Sequence, residues 1–573
     1  MEKATLVFIN GNIQTCDIDQ KLSCYSAMAV KGERILAVGC HTQIEPYIGQ
    51  ETKVVDLKGK TVLPGMCDAH IHASDTLEIT GKYNFYDTCE KDRTREEVIG
   101  MVQNTIVEYK RNEDISSGIR ITGWNPLVFL DSKEGMPTAK DLDAVCDEVP
   151  VVLRSVCQHY LWLNSKAMEK AGVTKATQTP KNGVIYRDEE GNPTGIFQEL
   201  PAVNMIKEIL PEADHTVEEY KESILTFQSE YALPMGITMV CDAMATPNAV
   251  EAYKQLAKEK KLSIRVSGVY AADSDKSKDQ FDTFIAHKDQ DTIGDLYHIP
   301  TVKFFVDGVE FMFYMNEPFE AKANENAGYP KEYCGFPQWS LDDTKEIFAK
   351  LDRAGFQIHV HAMGDGAVRE TLEAIEYARK QNPFADNRHA IAHVMNITAE
   401  DRKKMAYLKV IASIQHCWCA MDSTEEGNIF MMGKKRIEEA YPFGLLEKDG
   451  VRLAAGTDFP IVPFLNPFLG MQVGMTRILP KSHPEHDKYK NWKRGGEESC
   501  VSYAAMLASY TINGAYEMFY DDICGELAEG KSADFVILDC NLDTLDVMEY
   551  ENIKPQAVYF KGKLVYEAKS KDA

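Results

Sequence analysis

Two histidines, one residue apart, end an apolar stretch that runs from Val62 to His72. The stretch has the character of a short strand, and since side chains alternate along a strand, His70 and His72 point to the same side. Neutral imidazoles that leave one face together can bind one metal ion. A bare His-x-His occurs by chance on many surfaces, so the metal interpretation depends on the rest of the chain.

Further candidate ligands stand at the ends of other apolar stretches: Lys303, His361, His393 and Asp458. The alternation of side chains helps to choose among neighbouring histidines. His359 and His361 share a face, but His361 lies nearer the C-terminal end of its stretch and is the better ligand. The same reasoning favours His393 over His389.

Each candidate has a structural alternative. A lone histidine at a strand end is more often a hydrogen-bonded structural residue, and Asp458 could cap the following helix. Lys303 is harder to explain structurally because it lies within the apolar run Val302-Lys-Phe-Phe-Val306. A buried ammonium is costly unless it is paired or chemically changed. Asp307 is the partner that the sequence offers.

Strand-like and helix-like segments alternate through the middle of the chain, which predicts a parallel sheet with crossover helices. The candidate strands are residues 62–72, 236–242, 263–269, 301–307, 357–361, 389–393, 410–415 and 452–458. Eight such units indicate an α/β fold of the (β/α)8 TIM-barrel type. In that fold the active site lies at the C-terminal ends of the strands, where the candidate ligands stand.

Both ends of the chain read as short strands with turns, and neither could bury a face alone. Leu6–Ile9 followed by Asn10-Gly-Asn12 predicts a hairpin. We expect residues 1–62 and 521–573 to combine into one small β-sandwich beside a barrel domain at 63–520. The long gap after His72 predicts an insertion at about 80–230 over the barrel mouth, where such loops influence substrate choice.

Composition excludes several classes of partner. The 573 residues, 44% of them hydrophobic, can bury a large core. A formal charge of −25 argues against nucleic acid and anionic membranes as partners. Fourteen cysteines without a Cys-x-x-Cys pair fit a reducing compartment. With neither a signal peptide nor an apolar run of ~20 residues, a cytoplasmic location without membrane contact is expected.

Several motifs in order give the chain a family resemblance over nearly its whole length. They are Leu63-Pro-Gly-Met-Cys-Asp-Ala-His-Ile-His72, Gly183-Val-Ile-Tyr-Arg-Asp188, Val302-Lys-Phe-Phe-Val-Asp-Gly308, His359-Val-His-Ala-Met-Gly-Asp365, Ala455-Gly-Thr-Asp458, Tyr510-Thr-Ile-Asn513 and Gly525-Glu-Leu-Ala-Glu-Gly-Lys-Ser-Ala-Asp534. The chain resembles the amidohydrolase superfamily (the amidohydrolase family 3 type), in the branch that includes N-substituted formamide deformylases.

The resemblance implies a metal centre. His70, His72 and Asp458 would hold one divalent ion, and His361 and His393 a second. Zinc is the first expectation because imidazole and carboxylate ligands suit it, although iron and manganese also fit. One ion or two are both compatible with the residues. The metals would lower the pKa of a shared water toward ~7 and polarise the scissile carbonyl.

The same resemblance implies roles for three further positions and a second role for Asp458. Lys303 would bridge the metals as an N-carboxylated lysine, and Asp458 would take the proton of the water and pass it to the leaving amine. His159, in the segment Gln158-His159-Tyr160, would bind the substrate carbonyl or the developing oxyanion, with a structural histidine as the alternative. Trp124 would line the substrate pocket, or else be a buried core residue.

The implied activity is hydrolysis of a carbon–nitrogen amide-type bond, N-formyl or N-acyl, in a small-molecule substrate. Deamination and cyclic amide opening are alternatives on the same site. A non-catalytic binding or regulatory protein of the same fold is the alternative from another class. The residues leave the oligomeric state open, and a homodimer is an option that the resemblance alone adds, because dimers are common in proteins of this type.

Overall fold

The computed structural model describes residues 2–80, 83–85, 93–130, 135–157, 159–180, 183–209, 215–327, 329–462 and 465–569. Gln158, part of the His159 segment, lies outside them. The chain forms two compact units. The larger comprises Met1–Ala73, Ile224–Asp458 and Phe464–Ala573, and the smaller comprises Ser74–Ser223 and Phe459–Pro463.

The larger unit contains a sheet of eight parallel strands that pair in chain order. They are β1 (Met66–Ile71), β2 (Ile237–Asp242), β3 (Arg265–Ala271), β4 (Tyr297–Phe305), β5 (Gln357–Ala362), β6 (Ala390–His393), β7 (Ile411–Ile414) and β8 (Leu453–Ala455). Just beyond β8, the Asp458 N–H donates to the His70 carbonyl oxygen at 2.8 Å, which joins the two ends of the sheet. The predicted (β/α)8 barrel is therefore confirmed.

Helices follow the strands of this unit. They are Pro247–Lys258, Gln280–His287, Ala321–Asn326, Leu341–Arg353, Asp365–Gln381, Ala399–Tyr407, Ser423–Met432, Lys434–Glu438, Phe443–Lys448, Pro467–Thr476, His486–Tyr489, Tyr503–Ser509 and Ile512–Glu517. The helix Val217–Thr226 contains the sequence boundary between the two units. Polar caps define several of their starts, as where the Ser340 hydroxyl accepts from the Asp343 N–H. No helix in the described part of the chain combines the length and the apolar character that crossing a bilayer requires.

The stretch from Val62 to His72 is two strands rather than one. Thr61–Pro64 pairs with a C-terminal strand, whereas Met66–Ile71 begins the barrel. Gly65 separates them, and a Cβ built there would lie 2.1 Å from the Thr238 hydroxyl. The chain can change sheets at this point because glycine tolerates so close an approach. His72 lies just beyond the end of β1.

Both termini build the predicted β-sandwich. Its six-stranded sheet contains Lys563–Glu567, Pro555–Phe560, Phe535–Leu538, Thr61–Pro64, Asn12–Cys16 and Leu22–Tyr25, and its four-stranded sheet contains Arg34–Gly39, Ala27–Lys31, Leu6–Ile9 and Lys53–Asp56. The Phe8 ring meets Phe535 and Tyr559 from the other end of the chain at centroid distances of 5.1 and 5.5 Å. The terminal segments thus share one apolar core.

The hairpin predicted at Asn10-Gly-Asn12 is wrong. Leu6–Ile9 pairs with Ala27–Lys31 and Lys53–Asp56, whereas Asn12–Cys16 belongs to the other sheet. The turn connects the two sheets instead. The free energy gained by burying the two strands in their separate sheets exceeds the local preference of Asn10-Gly-Asn12 for a hairpin turn.

The smaller unit has its own mixed five-stranded sheet, with strands in the order Val184–Arg187, Pro193–Gln198, Tyr160–Leu163, Val151–Ser155 and Ile119–Trp124. Its helices are Thr76–Thr80, Arg95–Asn112, Leu127–Leu130, Ala139–Asp143, Ser165–Lys170 and Leu200–Ile209. Aromatic and aliphatic side chains form a core around Trp124, Phe129 and Trp162. This unit overlaps in sequence with the insertion predicted at about 80–230.

Candidate metal centre

Three potential ligands converge at the C-terminal end of the barrel. The His70 Nε2 and His72 Nε2 atoms each lie 3.3 Å from Asp458 Oδ1. The ligand atoms of this triad all lie within 4.8 Å of one another. Their residues are only 1%, 6% and 6% exposed. Imidazole nitrogens and a carboxylate oxygen at this spacing form a set that one divalent ion can bridge.

The backbone around Asp458 is held close to β1. A Cβ on Gly456 would lie 2.6 Å from the His70 nitrogen, so glycine is needed where the two strands meet. The Thr457 hydroxyl and N–H donate to the buried Asp68 carboxylate at 2.6 and 3.1 Å. Asp458 itself has a φ of +63°, a left-handed conformation that is strained for a non-glycine residue. Such strain at a convergence of polar groups is typical of a functional site.

Lys303 lies beside the triad. Its ammonium is 3.1 Å from His70 Nε2 and 5.1 Å from the centre of the Phe305 ring. The side chain is 1% exposed, and burial lowers the pKa of Lys303 to about 8. Among the described residues, no carboxylate lies within ion-pair distance of this ammonium. The environment therefore favours an uncharged or chemically modified lysine.

Asp307 does not supply the partner for Lys303 that the sequence suggested. Its carboxylate accepts hydrogen bonds from the N–H groups of Met363, Gly364 and Tyr314 at 3.0, 2.8 and 3.1 Å. The Oδ1 atom also lies 3.6 Å from His361 Nε2. Asp307 thus organises the loop after β5, next to a candidate ligand.

His361 and His393 form a second pair beside the triad. Their ring centroids are 4.6 Å apart, and the His393 ring is 5.0 Å from that of His70. His393 Nδ1 lies 2.7 Å from Gln415 Oε1, and Trp418 stacks on the His393 ring at 5.3 Å. These contacts fix the orientation of His393. The pair is adjacent to the triad but does not join its 4.8 Å cluster of ligand atoms.

The protonation states of these residues suit a metal. Burial lowers the pKa of both His70 and His393 to about 3, so each keeps a lone pair at neutral pH. Burial alone would raise the pKa of Asp458, but His70 and His72 outweigh it and hold that pKa well below its usual range. Asp458 Oδ1 is buried and makes no hydrogen bond to the described residues. An anionic oxygen beside neutral imidazoles is an environment that a divalent cation would complete.

His159 and Trp124 belong to the smaller unit. His159 Nδ1 lies 2.8 Å from the Glu199 carboxylate, and the His159 side chain is 11% exposed. Glu199 has a φ of +67° and donates its N–H to the His159 carbonyl oxygen at 2.8 Å. Trp124 is 1% exposed, lies in the core and donates its Nε1–H to the Leu153 carbonyl oxygen at 3.3 Å. Glu199 therefore orients the His159 ring. Trp124 is a buried core residue, which is the structural alternative that the sequence offered for it.

Sequence reasoning missed several residues that support the site: Asp68, Glu199, His359, Gln415 and Glu517. Asp68 could have been found, because it shares the strand face of His70 and His72. The alternation of side chains favours His361 over His359 as a ligand, yet His359 Nε2 lies 2.8 Å from His70 Nδ1. No local pattern marks Glu199, Gln415 or Glu517.

Acidification is expected to destabilise the metal-free protein. Burial lowers the pKa of a group of histidines from 6.5 to about 3 or 4, or well below 6.5: His70, His298, His359, His393 and His416. The unfolded chain therefore binds more protons at these positions below pH 6.5, and each contributes a loss of about 1.4 kcal/mol per pH unit. Burial raises the pKa of Glu517 to about 8 and that of Asp68 to about 7, so these two carboxyls act in the opposite direction but are outnumbered.

The free energy of unfolding in urea should consequently fall as pH decreases from about 6.5 to about 4.5. A free energy that stayed constant or rose across this window would contradict the assignment of neutral, buried histidines.

The parallel barrel and the cluster of His70, His72 and Asp458 at its strand ends define a barrel protein with a candidate metal site. Residues 53–566 match the model of the amidohydrolase family, and the chain belongs to that family.

Relatives by sequence include Protein LONG AFTER FAR-RED 3 of Arabidopsis thaliana, which is 27% identical over 94% of this chain and 88% of its own. The N-substituted formamide deformylase of Arthrobacter pascens is 24% identical over 98% of both chains. Among solved structures, an uncharacterized metal-dependent hydrolase from Pyrococcus horikoshii matches with a TM-score of 0.68. It is 22% identical and covers 95% of this chain and 99% of its own, a likeness that shows the fold.

Proposed function

We propose that the protein hydrolyses a carbon–nitrogen bond of amide type, N-formyl or N-acyl, in a small-molecule substrate. The observation that carries the proposal is the buried triad of His70, His72 and Asp458, with both imidazoles 3.3 Å from the carboxylate. Membership of the amidohydrolase family supports it, as does the similarity to a relative named for deformylation of N-substituted formamides.

The proposed ligands are the triad for one ion and His361 with His393 for a second. Zinc is the preferred ion because it suits imidazole and carboxylate ligands. A bound divalent metal would acidify a water and polarise the substrate carbonyl.

The residues of the chain then move the protons. Asp458 is the anionic member of the triad, since His70 and His72 hold its pKa well below the usual range, so it is the group that accepts the proton of the attacking water. After the tetrahedral carbon forms, the same carboxyl returns the proton to the departing amine. His159 remains the proposed ligand of the substrate carbonyl, with Glu199 orienting its ring.

Lys303 is proposed to carry a carboxyl group. Its neutral amine would attack the carbon of CO2, form an N–C bond and release one proton, which leaves an anionic carbamate. Burial favours this reaction because it lowers the pKa of the amine to about 8. The product replaces a costly buried cation by an oxygen ligand beside His70.

A panel of N-formyl, N-acyl, cyclic amide and ring-amine compounds tests the proposal. We expect the metal-replete protein to hydrolyse open-chain amides, chelation to abolish turnover, and zinc, iron or manganese to restore it. The doubly substituted variant His70→Ala, His72→Ala should not be restored by any of them.

Turnover of ring amines alone would identify a deaminase instead. Equal rates for the wild type and the double variant on every hydrolysed amide would show that the site is wrongly assigned.

A further inference from the structure

A buried row of polar groups leads away from the triad on the far side of His70. His70 Nδ1 lies 2.8 Å from His359 Nε2, and His359 Nδ1 lies 3.2 Å from Glu517 Oε1. His359 is fully buried and Glu517 is 1% exposed. Ser413 is the other polar side chain that acts on the Glu517 carboxylate, and among the described residues His359 Nδ1 has no partner that aligns better than Glu517. Burial of these polar groups costs folding free energy, and hydrophobic packing alone does not explain why they are present in the core.

The neighbours of His70 determine where its hydrogen lies. His70 Nε2 faces Asp458 Oδ1 at 3.3 Å and is the atom that would bind the ion, so it must keep its lone pair and act as an acceptor. A neutral imidazole that accepts at Nε2 carries its hydrogen on Nδ1 and donates it to His359 Nε2. His359 must then carry its own hydrogen on Nδ1, which faces Glu517. The hydrogens along the row all point toward the carboxylate.

We propose that His359 and Glu517 are positioning residues that hold His70 in the tautomer and ring orientation needed for metal binding. The inference rests on the proposed function of the triad. In the opposite arrangement, a protonated Glu517 would donate to His359 Nδ1, and every hydrogen in the row would reverse. His70 Nε2 would then carry a hydrogen and could not bind a metal. The arrangement that binds a metal therefore requires Glu517 Oε1, 3.2 Å from His359 Nδ1, to be the acceptor at the end of the row.

The general behaviour of metal sites gives the size of the effect. A ligating histidine usually donates its second N–H to an acceptor, and loss of that acceptor weakens metal binding by about 10–100-fold. His393 has such an acceptor in Gln415 Oε1 at 2.7 Å. For His70 the acceptor is His359 Nε2. The Nδ1–H of His359 in turn needs Glu517 as its acceptor.

The neighbouring strand supplies a matched control. His389 is as buried as His359, and its Nε2 lies 3.1 Å from the Asp352 carboxylate. Its Nδ1 accepts the Ile358 N–H at 3.1 Å. This histidine and carboxylate pair therefore stabilises the barrel without contacting a candidate ligand. Its removal reports the cost of losing a buried imidazole alone.

The experiment measures Zn²⁺ affinity of the full-length protein by competition with a chromophoric chelator. The variants are His359→Leu, Glu517→Leu, Glu517→Gln and the control His389→Leu, each with its melting temperature. We expect a loss of about 10–100-fold for the first two. Glu517→Gln should lose less, because the amide oxygen still accepts from His359 Nδ1–H. The control should melt earlier yet keep wild-type affinity, and only the first two should alter the absorption spectrum of the Co²⁺-loaded protein.

The possible results distinguish failure of the positioning role from failure of the proposed function. Wild-type Zn²⁺ affinity and an unchanged Co²⁺ spectrum in His359→Leu and Glu517→Leu would overturn the positioning role and leave the proposed function intact. An equal loss of affinity in the His389→Leu control would also overturn it, because the effect would then be general destabilisation. A wild-type protein that binds no Zn²⁺ would overturn the inference and the proposed function together.

Discussion

Replacing Asp458 with Asn is expected to lower kcat/KM on an amide substrate by roughly 10²–10⁴-fold, the range associated with loss of a general acid–base. Asparagine has nearly the same shape but can neither take up the proton of the attacking water nor return it to the amine. It also removes the anion that lies 3.3 Å from His70 Nε2 and from His72 Nε2. Because the proton transfers occur during the reaction, most of the loss should appear in kcat rather than in KM.

Asp352→Asn is the matched control for this prediction. Asp352 is a buried aspartate of the same unit that contacts His389 and no candidate ligand. It should reduce stability and leave kcat/KM near the wild-type value. Metal content per chain, measured for both variants, separates loss of the proton acceptor from loss of the ion. An Asp458→Asn protein with wild-type kcat would exclude Asp458 as the proton carrier.

The barrel could be predicted because its strands are local apolar runs that alternate with helices. Strands buried on both faces have this composition wherever they pair, so their partners need not be known in advance. The candidate ligands could be predicted for a related reason. The barrel fold places them at one end, and the alternation of side chains selects the inward face, as at His361.

Contacts between distant parts of the chain could not be predicted in the same way. Leu6–Ile9 and Asn12–Cys16 have the local pattern of a hairpin, yet they join different sheets. Leu6–Ile9 pairs with strands from residues 27–56, whereas the sheet of Asn12–Cys16 is completed by strands from the C-terminal end of the chain. Glu517 follows His359 by more than 150 residues, in the helix Ile512–Glu517, and nothing near it in sequence marks it as a partner. The left-handed backbone of Asp458 and His393 is likewise set by tertiary packing.

Lys303 is the residue whose removal should most clearly separate one metal from two. We expect Lys303→Ala to lose one ion per chain and nearly all turnover, because the bridging anion disappears. In the metal-free protein, where the lysine would not be carboxylated, the variant should fold and even gain stability, since it removes an amine that is 1% exposed and lacks a carboxylate partner among the described residues. Elemental analysis of protein purified without chelator gives the metal content, and thermal unfolding gives the stability.

One further variant, one chemical addition and a mass measurement identify what Lys303 contributes. Lys303→Met keeps a straight side chain without an amine, so it should behave like Lys303→Ala and exclude a packing effect. Short carboxylic acids such as formate, acetate or propionate should partly restore turnover to Lys303→Ala, because they place a carboxylate where the carbamate would lie. The intact wild-type protein, analysed under native conditions, should carry the added mass of one CO2 that both variants lack. One ion per chain, retained in Lys303→Ala, would instead make the site mononuclear on His70, His72 and Asp458 and leave Lys303 an electrostatic role.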